Sequence, residues 1–268
     1  MGARSIDSIQ ADFARERYIA DRDLATAVYL SLTLDRPLLV EGEAGVGKTE
    51  VGRTLAAVLK TELIRLQCYE GLDVNTAVYE WDYPRQMLEI RLLEARGEAK
   101  QAATKDIFSE EFLIRRPLLR ALENSRPEPP VLLIDEVDRA DEEFEAYLLE
   151  VLADDALKRR CLYHWIDYPS SERELAILAA RRPELPAQLA AEVVGFVQRL
   201  RLADLTKVPG IAETIDWAAA LEALGAKRLE TEQVERTLGA LLKYQEDMAA
   251  LKGGGAAKLV DEVRAATR

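Results

Sequence analysis

The most constraining feature of the sequence is a glycine-rich run that lies between a predicted strand and a predicted helix. Apolar residues 37–40 lead into the run, and a helical pattern begins near its end. The run consists of Gly42, Glu43, Ala44, Gly45, Val46, Gly47, Lys48 and Thr49, a complete G-x-x-x-x-G-K-[ST] pattern. Glycines without a Cβ let backbone N–H groups surround phosphate oxygens, and the following helix adds the positive end of its dipole. The pattern predicts binding of a nucleoside triphosphate, with Lys48 on the β- and γ-phosphates and Thr49 as a Mg²⁺ ligand.

A second motif adds a case for hydrolysis of that nucleotide. Residues 131–134 are Val-Leu-Leu-Ile, an apolar run typical of a strand buried on both faces of a parallel sheet. The run ends in Asp135 and Glu136. A carboxylate at the tip of such a strand can hold the Mg²⁺ shell, so we assign that role to Asp135. The neighbouring Glu136 is placed to polarise an attacking water. Nucleotide hydrolysis is therefore the predicted reaction.

Composition indicates a soluble globular protein. The 268 residues are 49% hydrophobic and 31% charged, and they suffice for one large domain or for a large and a small one. We predict no membrane span, because no run approaches the roughly 18 apolar residues required. The only cysteines, Cys68 and Cys161, fit a reduced, cytoplasmic protein. The single histidine, His164, disfavours Ser-His-Asp chemistry and His-rich metal sites.

The charge balance disfavours nucleic acid as a partner. The formal net charge is −12, whereas nucleic-acid binding relies on clustered Lys and Arg. Arg115, Arg116 and Arg120 form a local basic cluster. It could line a basic groove, or it could be a solvated or nucleotide-facing helix end, which we favour. A protein is the expected macromolecular partner.

Strands and helices alternate in the first part of the chain, which predicts an α/β sheet with helices on both faces. Beyond residue 168 we predict only helices, at 171–181, 186–203, 211–224 and 231–248 and in a tail after residue 255. We therefore predict a nucleotide-binding α/β domain at 1–168 and an all-helical lid domain at 169–268. A charged helix at 84–99 lies outside the minimal alternation; it either faces a partner or pore, or packs on the domain surface.

One strand of the expected sheet has no counterpart in the sequence. A doubly wound sheet needs a strand between the one at 37–41 and the one at 131–135; the family resemblance described below implies that this strand follows the helix at 141–153. Here the chain runs from that helix through Asp154 to Ala156 and directly toward residue 160. Unpaired backbone groups on two buried strands would cost about 1–3 kcal/mol each. We therefore expect that a segment is missing near Asp154–Ala156; the alternative is a shortened chain with a remodelled sheet.

The combined motifs resemble the MoxR family of AAA+ ATPases. The similarity rests on 37–42 running into the glycine-rich loop, on 135–141 at the acidic motif, and on the helix at 146–150. Within that family, the stretches 69–73, 79–86 and 159–169 are similar to the CoxD-like subgroup. The resemblance covers nearly the whole chain. It implies a P-loop AAA+ fold, a parallel sheet with flanking helices followed by a helical lid, with ATP and Mg²⁺ as cofactors.

The resemblance also implies roles for individual residues. The loop residues 42–49 would bind phosphate and magnesium, Asp135 would coordinate magnesium, and Glu136 would activate water. Subunits would form a hexameric ring in which Arg160, as an arginine finger, reaches the nucleotide of a neighbour; Arg159 is the second candidate for that role. Tyr18 and Ile19 would pack the adenine. Many relatives carry a sensor arginine in the lid, but residues 210–216 contain none.

The subgroup is associated with maturation of the molybdenum–copper centre of carbon monoxide dehydrogenases, commonly beside a partner with a von Willebrand factor A domain. The first functional hypothesis is thus a chaperone-like ATPase that remodels a protein client. The second is a nucleic-acid-directed AAA+ motor or loader, which the acidic charge disfavours. The third is a nucleotide-gated scaffold with little turnover, against which the intact Lys48, Asp135 and Glu136 argue.

Overall fold

The computed structural model describes residues 5–96, 107–123, 128–152 and 161–267. The helices of this part of the chain are α1 (Ile6–Arg15), α2 (Arg22–Leu34), α3 (Lys48–Leu59), α4 (Val74–Val78), α5 (Tyr83–Ala95), α6 (Pro117–Leu122), α7 (Glu142–Leu152), α8 (Ser171–Arg181), α9 (Ala187–Leu200), α10 (Ile211–Ala223), α11 (Thr231–Leu241), α12 (Gln245–Lys252) and α13 (Gly255–Ala266). The strands are β1 (Leu38–Gly42), β2 (Leu63–Gln67), β3 (Tyr79–Trp81), β4 (Leu113–Arg115), β5 (Val131–Asp135) and β6 (Leu162–Ile166).

The chain divides into two compact units. The first combines Met1–Thr54 with Cys161–Arg268, and the second consists of Leu55–Arg160. The first unit thus holds the glycine-rich loop together with the helical C-terminal region, whereas the second holds Asp135 and Glu136. The domain division after residue 168 stays a prediction.

A pair of parallel strands carries the loop in the first unit. Strand β1 pairs with β6 in a register that runs from Leu38 opposite Leu162 to Gly42 opposite Ile166. The first strand ends at Gly42, so the glycine-rich loop leaves from its carboxyl end. Ligand sites of open parallel sheets lie at this end of the strands.

The helical region has its own apolar core, as the periodicity of the sequence predicts. In α9 the buried apolar residues follow helical spacing: Leu189, Val193, Val194, Phe196, Val197 and Leu200. Trp217 of α10 is fully buried, and its ring centroid lies 5.1 Å from that of Phe196. The Trp217 indole N–H donates to the Thr237 hydroxyl at 2.8 Å. The α10 and α11 helices are thereby fixed around one aromatic centre.

A buried ion pair lies inside the helical region. The guanidinium of Arg201 donates to both oxygens of Glu174, at 2.8 Å each, and the two side chains are only 7% and 0% exposed. The hydroxyl of Thr214 also donates to this carboxylate. The Nε–H of Arg201 donates to the carbonyl of Pro209 at 2.8 Å. These bonds satisfy both charges and connect α8 to the start of α10.

The second unit contains one parallel and one antiparallel strand pair. Strand β2 pairs with β5 in parallel, with Gln67 opposite Asp135, and β3 pairs with β4 antiparallel. The antiparallel β3–β4 pair was not predicted, since its strands are only three residues long. The apolar core of this unit consists of Leu66, Cys68, Leu72, Ala77, Leu118, Phe144 and Leu148.

The predicted single helix at 231–248 is wrong, because the chain is extended between α11 and α12. Leu242 and Tyr244 have ψ angles of 142° and 136°. The Leu242 side chain is 2% exposed in the helical core. Carboxylate oxygens of Asp247 accept from the backbone N–H groups of Thr206 and Lys207, at 2.9 and 3.3 Å. Tertiary burial and this anchor explain a break that the helical periodicity conceals.

The question of the missing strand falls outside the described residues. Within the described ranges, β1 pairs only with β6, and β5 pairs only with β2. The junction that we singled out at Asp154–Ala156 lies in the undescribed range 153–160. The expected missing segment therefore stays a prediction. Separately, no helix in the described ranges is both long and apolar enough to cross a bilayer.

Removal of the Glu174 carboxylate should strongly destabilise the helical region. In Glu174→Ala the Arg201 guanidinium stays buried without its counter-ion, which costs about 3–5 kcal/mol. We expect faster hydrogen–deuterium exchange of amides in α8 and α10 and a lower midpoint of chemical denaturation. The control is Arg236→Ala, which breaks an ion pair with Glu232 in which both side chains are 74% exposed, and which should change neither measurement appreciably. Equal exchange in both variants would contradict a structural role for the buried pair.

Candidate functional site

Three glycines of the loop occupy positions that a side chain would not tolerate. A Cβ at Gly42 would lie 2.2 Å from the carbonyl oxygen of Ile166, because β6 passes against it. Gly45 and Gly47 have φ angles of +77° and +94°, in the left-handed region that favours glycine. The loop can thus expose backbone N–H groups in a tight turn just before α3 begins at Lys48. The residues present therefore fit a nucleotide phosphate group.

The side chain of Lys48 forms hydrogen bonds with the backbone of the loop. The Nζ donates to the carbonyl oxygens of Gly42 and Glu43, at 2.7 Å each. The ammonium group therefore lies over the turn that the glycines form, next to the positive dipole end of α3. Thr49 follows in the first turn of the same helix. Phosphate binding by residues 42–49 and the roles of the single residues stay predictions.

Tyr18 lies beside the loop, whereas Ile19 contacts the helical region. The Cε2 atom of Tyr18 lies 3.8 Å from the position of a Cβ at Gly47. Tyr18 is 8% exposed, and this burial raises the pKa of its phenol to about 12. The carbonyl of Ile19 accepts from the Nε–H of Arg173 at 3.1 Å, and Arg173 also pairs with Asp21 at the start of α2. The segment predicted to hold the base is thus tied to α8.

The start of α10 packs directly on the loop. The N–H of Ala212 donates to the carbonyl of Gly45 at 3.2 Å. A Cβ at Gly210 would lie 2.8 Å from the carbonyl oxygen of Ala44 and 2.9 Å from the Cα of Gly45. The backbones of the loop and of α10 approach this closely only because residues 45 and 210 are both glycines.

The side chain of Glu213 also lies against the loop, at Gly45. A Cβ at Gly45 would lie 2.8 Å from its Oε2 atom. The same oxygen accepts from the N–H of Gly210 at 3.1 Å, so the Glu213 side chain caps the start of α10. From the sequence, the 210–216 stretch stood out only for its lack of arginine, and this carboxylate was missed.

A further ion pair joins the helical region to the helix that follows the loop. Arg181, in the last turn of α8, pairs with Glu50 of α3 at 2.6 Å. Neither residue was singled out from the sequence, and no motif marks them. Together with Arg173 and Ala212, Arg181 gives the helical region three polar connections to the elements around the loop.

Asp135 and Glu136 lie at the carboxyl end of β5 in the second unit. A guanidinium nitrogen of Arg65 lies 2.6 Å from Oδ2 of Asp135, whose side chain is 17% exposed. Glu136 has a φ of +55°, and its carboxylate lies 3.1 Å from the Nε of Arg139. Arg65, on the neighbouring strand β2, was missed because a strand sequence does not show which cross-strand side chains meet.

The remaining predicted residues divide into two groups. Arg159 and Arg160 lie outside the described residues. Each arginine of the basic cluster pairs with a carboxylate: Arg115 with Glu110 and Glu123, Arg116 with Glu80, and Arg120 with Glu62. Whether the cluster lines a basic groove or is a solvated or nucleotide-facing helix end stays a prediction.

Substitution of Gly45 should separate backbone strain from the contact with α10. Both Gly45→Ala and Gly225→Ala place a side chain at a left-handed φ, of +77° and +71°, which costs about 1–2 kcal/mol. Nothing lies within 4 Å of a Cβ at Gly225, so that variant is the matched control. We expect Gly45→Ala to lower the melting temperature further and to speed exchange of the Ala212 amide. The packing account fails if the two variants lose the same stability and leave that amide equally protected.

Comparison with known proteins gives a family match over part of the chain. Residues 37–163 match the family model described as an AAA domain of the dynein-related subfamily. No curated protein sequence matched the chain. Among solved structures, the chain is similar to the RuvB Holliday junction branch migration motor of Thermotoga maritima, with a TM-score of 0.37 and 15% identity over 88% of this chain and 72% of that chain. The loop geometry, the parallel strand pairs and the family match together identify residues 37–163 as an AAA+ domain, in a chain with a P-loop AAA+ fold and a helical C-terminal region.

Proposed function

We propose that this chain is an AAA+ ATPase that binds ATP through residues 42–49 and hydrolyses it to ADP and phosphate. The observation that carries the proposal is the loop itself. Its three constrained glycines, the Lys48 ammonium and the start of α3 form a cradle for phosphate groups. The match of residues 37–163 to an AAA domain supports ATP as the nucleotide.

The remaining chemistry is assigned from the sequence. In the proposal Thr49 and Asp135 are the ligands of Mg²⁺, and Glu136 orients the attacking water. Bound magnesium would neutralise charge that develops on the transferred phosphoryl group. Tyr18 and Ile19 would hold the base; the position of the Tyr18 ring beside Gly47 supports the part assigned to Tyr18.

We further propose that the chain works as a MoxR-type chaperone in a homo-oligomeric, hexameric ring in the cytoplasm. Its object would be a protein client, which it remodels with energy from ATP. On the CoxD-like resemblance, the client is a molybdenum–copper carbon monoxide dehydrogenase precursor and the partner a von Willebrand A-domain protein. The net charge of −12 and the paired arginines of the 115–120 cluster support a protein partner over a nucleic-acid track.

Two substitutions separate binding from hydrolysis. Lys48→Ala should weaken nucleotide binding by roughly a hundredfold or more, because it removes a charged donor to the phosphates. Glu136→Gln should bind nucleotide like the wild type but turn over ~10²–10⁴-fold more slowly, because the water loses its base. Fluorescent nucleotide titration and phosphate release measure the two effects. Turnover in Glu136→Gln at the wild-type rate would remove the assignment of that residue.

Assembly should be required for turnover if Arg160 acts on the nucleotide of a neighbour. We expect turnover per subunit to rise with protein concentration, and Arg160→Ala to lose ~10³–10⁵-fold in rate. Mixing Arg160→Ala with Lys48→Ala subunits should restore part of the activity, since a site with an intact loop and an intact finger can then form. Arg159→Ala tests the second candidate: a comparable loss there, with Arg160→Ala active, would transfer the finger role to Arg159. A concentration-independent rate from a stable monomer would refute the ring model.

A nucleic-acid motor would give a different result. Such a protein should bind DNA or RNA with an affinity that falls steeply as salt rises. We expect no such binding by the wild type at physiological salt. A steep salt dependence together with nucleic-acid-stimulated ATPase activity would replace the chaperone proposal.

A further inference from the structure

The start of α10 places the carboxylate of Glu213 against the loop that we propose to bind phosphate. We propose that Glu213 is a specificity-determining residue, which makes the loop select the magnesium complex of the nucleotide over the uncomplexed nucleotide. This inference rests on the proposed function of residues 42–49 as the phosphate-binding loop.

The first line of support is geometry. The Oε2 atom of Glu213 lies 2.8 Å from the position of a Cβ at Gly45, so the carboxylate is in van der Waals range of the loop backbone. Its position is fixed by two bonds: the Gly210 N–H donates to Oε2 at 3.1 Å, and the Ala212 N–H donates to the Gly45 carbonyl at 3.2 Å. The charge is therefore held at the loop by the packing of α10.

The second line of support is that nearby cations are already engaged. Arg201 is committed to the buried Glu174, and Arg181 is paired with Glu50. The Lys48 ammonium donates to carbonyl oxygens of the loop. Within the described ranges, Glu213 is in no ion pair, and its hydrogen bond is to a neutral backbone N–H. Its charge is thus not neutralised by a protein cation.

A third observation places another carboxylate in the same neighbourhood. Burial raises the pKa of the Tyr168 phenol, and the charges of Glu43 and Glu213 raise it further, against the opposing effect of Arg201. Glu43 is an exposed residue of the loop itself and has no ion pair in the described part of the chain. Two carboxylates therefore act on the same side chain next to the loop.

The consequence follows from Coulomb's law. A carboxylate beside the loop repels a triphosphate, and the repulsion grows with the charge that the triphosphate carries. Magnesium offsets part of that charge, so the complex is repelled less than the free nucleotide. An arginine in the same place would attract both forms and discriminate in the opposite sense. The position of Glu213 thus favours the form that is competent for phosphoryl transfer.

A purely structural role of Glu213 as the cap of α10 predicts a different outcome, and one substitution distinguishes the two roles. Glutamine can also cap a helix from this position, because its amide oxygen accepts the same N–H. Glu213→Gln therefore keeps the cap of α10 and removes only the charge. Glu235→Gln is the matched control, since it makes the same change on α11, at a glutamate without an ion pair in the described ranges.

The experiment measures dissociation constants of a fluorescent ATP analogue for the full chain, with excess Mg²⁺ and with a chelator. We expect the wild type to prefer the magnesium complex. Glu213→Gln should bind the uncomplexed analogue about three- to tenfold more tightly and the complex by a smaller factor, so that the preference shrinks. The difference should diminish as salt is raised, and Glu235→Gln should behave like the wild type.

The possible failures are distinct. If the wild type and Lys48→Ala bind the analogue equally, or neither binds it, the phosphate-loop function fails and the inference fails with it. If the wild type binds and Lys48→Ala does not, but Glu213→Gln leaves the magnesium preference unchanged, Glu213 is a cap residue only. If Glu235→Gln reduces the preference for the magnesium complex as much as Glu213→Gln does, the net charge of the chain explains the effect, and the inference is overturned. Melting curves of Glu213→Gln and Glu213→Ala provide a stability check, since only the alanine variant loses the cap.

Discussion

The hydrogen bond from the Ala212 N–H to the Gly45 carbonyl is the contact on which the organisation of the first unit depends. It requires the backbones of the loop and of α10 to approach closely, which glycines at 45 and 210 permit. The loop is in turn fixed to the sheet, because Gly42 packs against the carbonyl of Ile166. The loop and the helical region are therefore joined through backbone atoms.

Side chains also join the helical region to the elements around the loop. Arg173 connects α8 to the segment of Tyr18 and Ile19, and Arg181 connects the other end of α8 to α3. The buried Arg201–Glu174 pair then links α8 rigidly to the start of α10. Because packed helices move as rigid elements, a displacement of the loop would move α8 and α10 together.

Much of the fold follows from the sequence because its signals are local. The loop pattern, the apolar run that ends in Asp135, and the helical spacing of α8 to α10 each lie within one segment, and the structure has the expected elements there. The errors arise where distant residues decide. The break before α12 depends on an anchor between Asp247 and Thr206, and the Arg65–Asp135 pair depends on strand register. Similarly, the sequence of residues 210–216 showed only that arginine is absent there. The contact of Glu213 with the loop could be found only from the folded structure.

The most direct test of the central claim is hydrogen–deuterium exchange of the full chain with and without ATP and Mg²⁺. If residues 42–49 bind the phosphates and α10 is coupled to them, nucleotide should slow exchange of amides in the loop, at the start of α3 and at Ala212. The Lys48→Ala variant should show none of these changes. Unchanged exchange in the wild-type loop at saturating nucleotide, or equal protection in Lys48→Ala, would contradict the account.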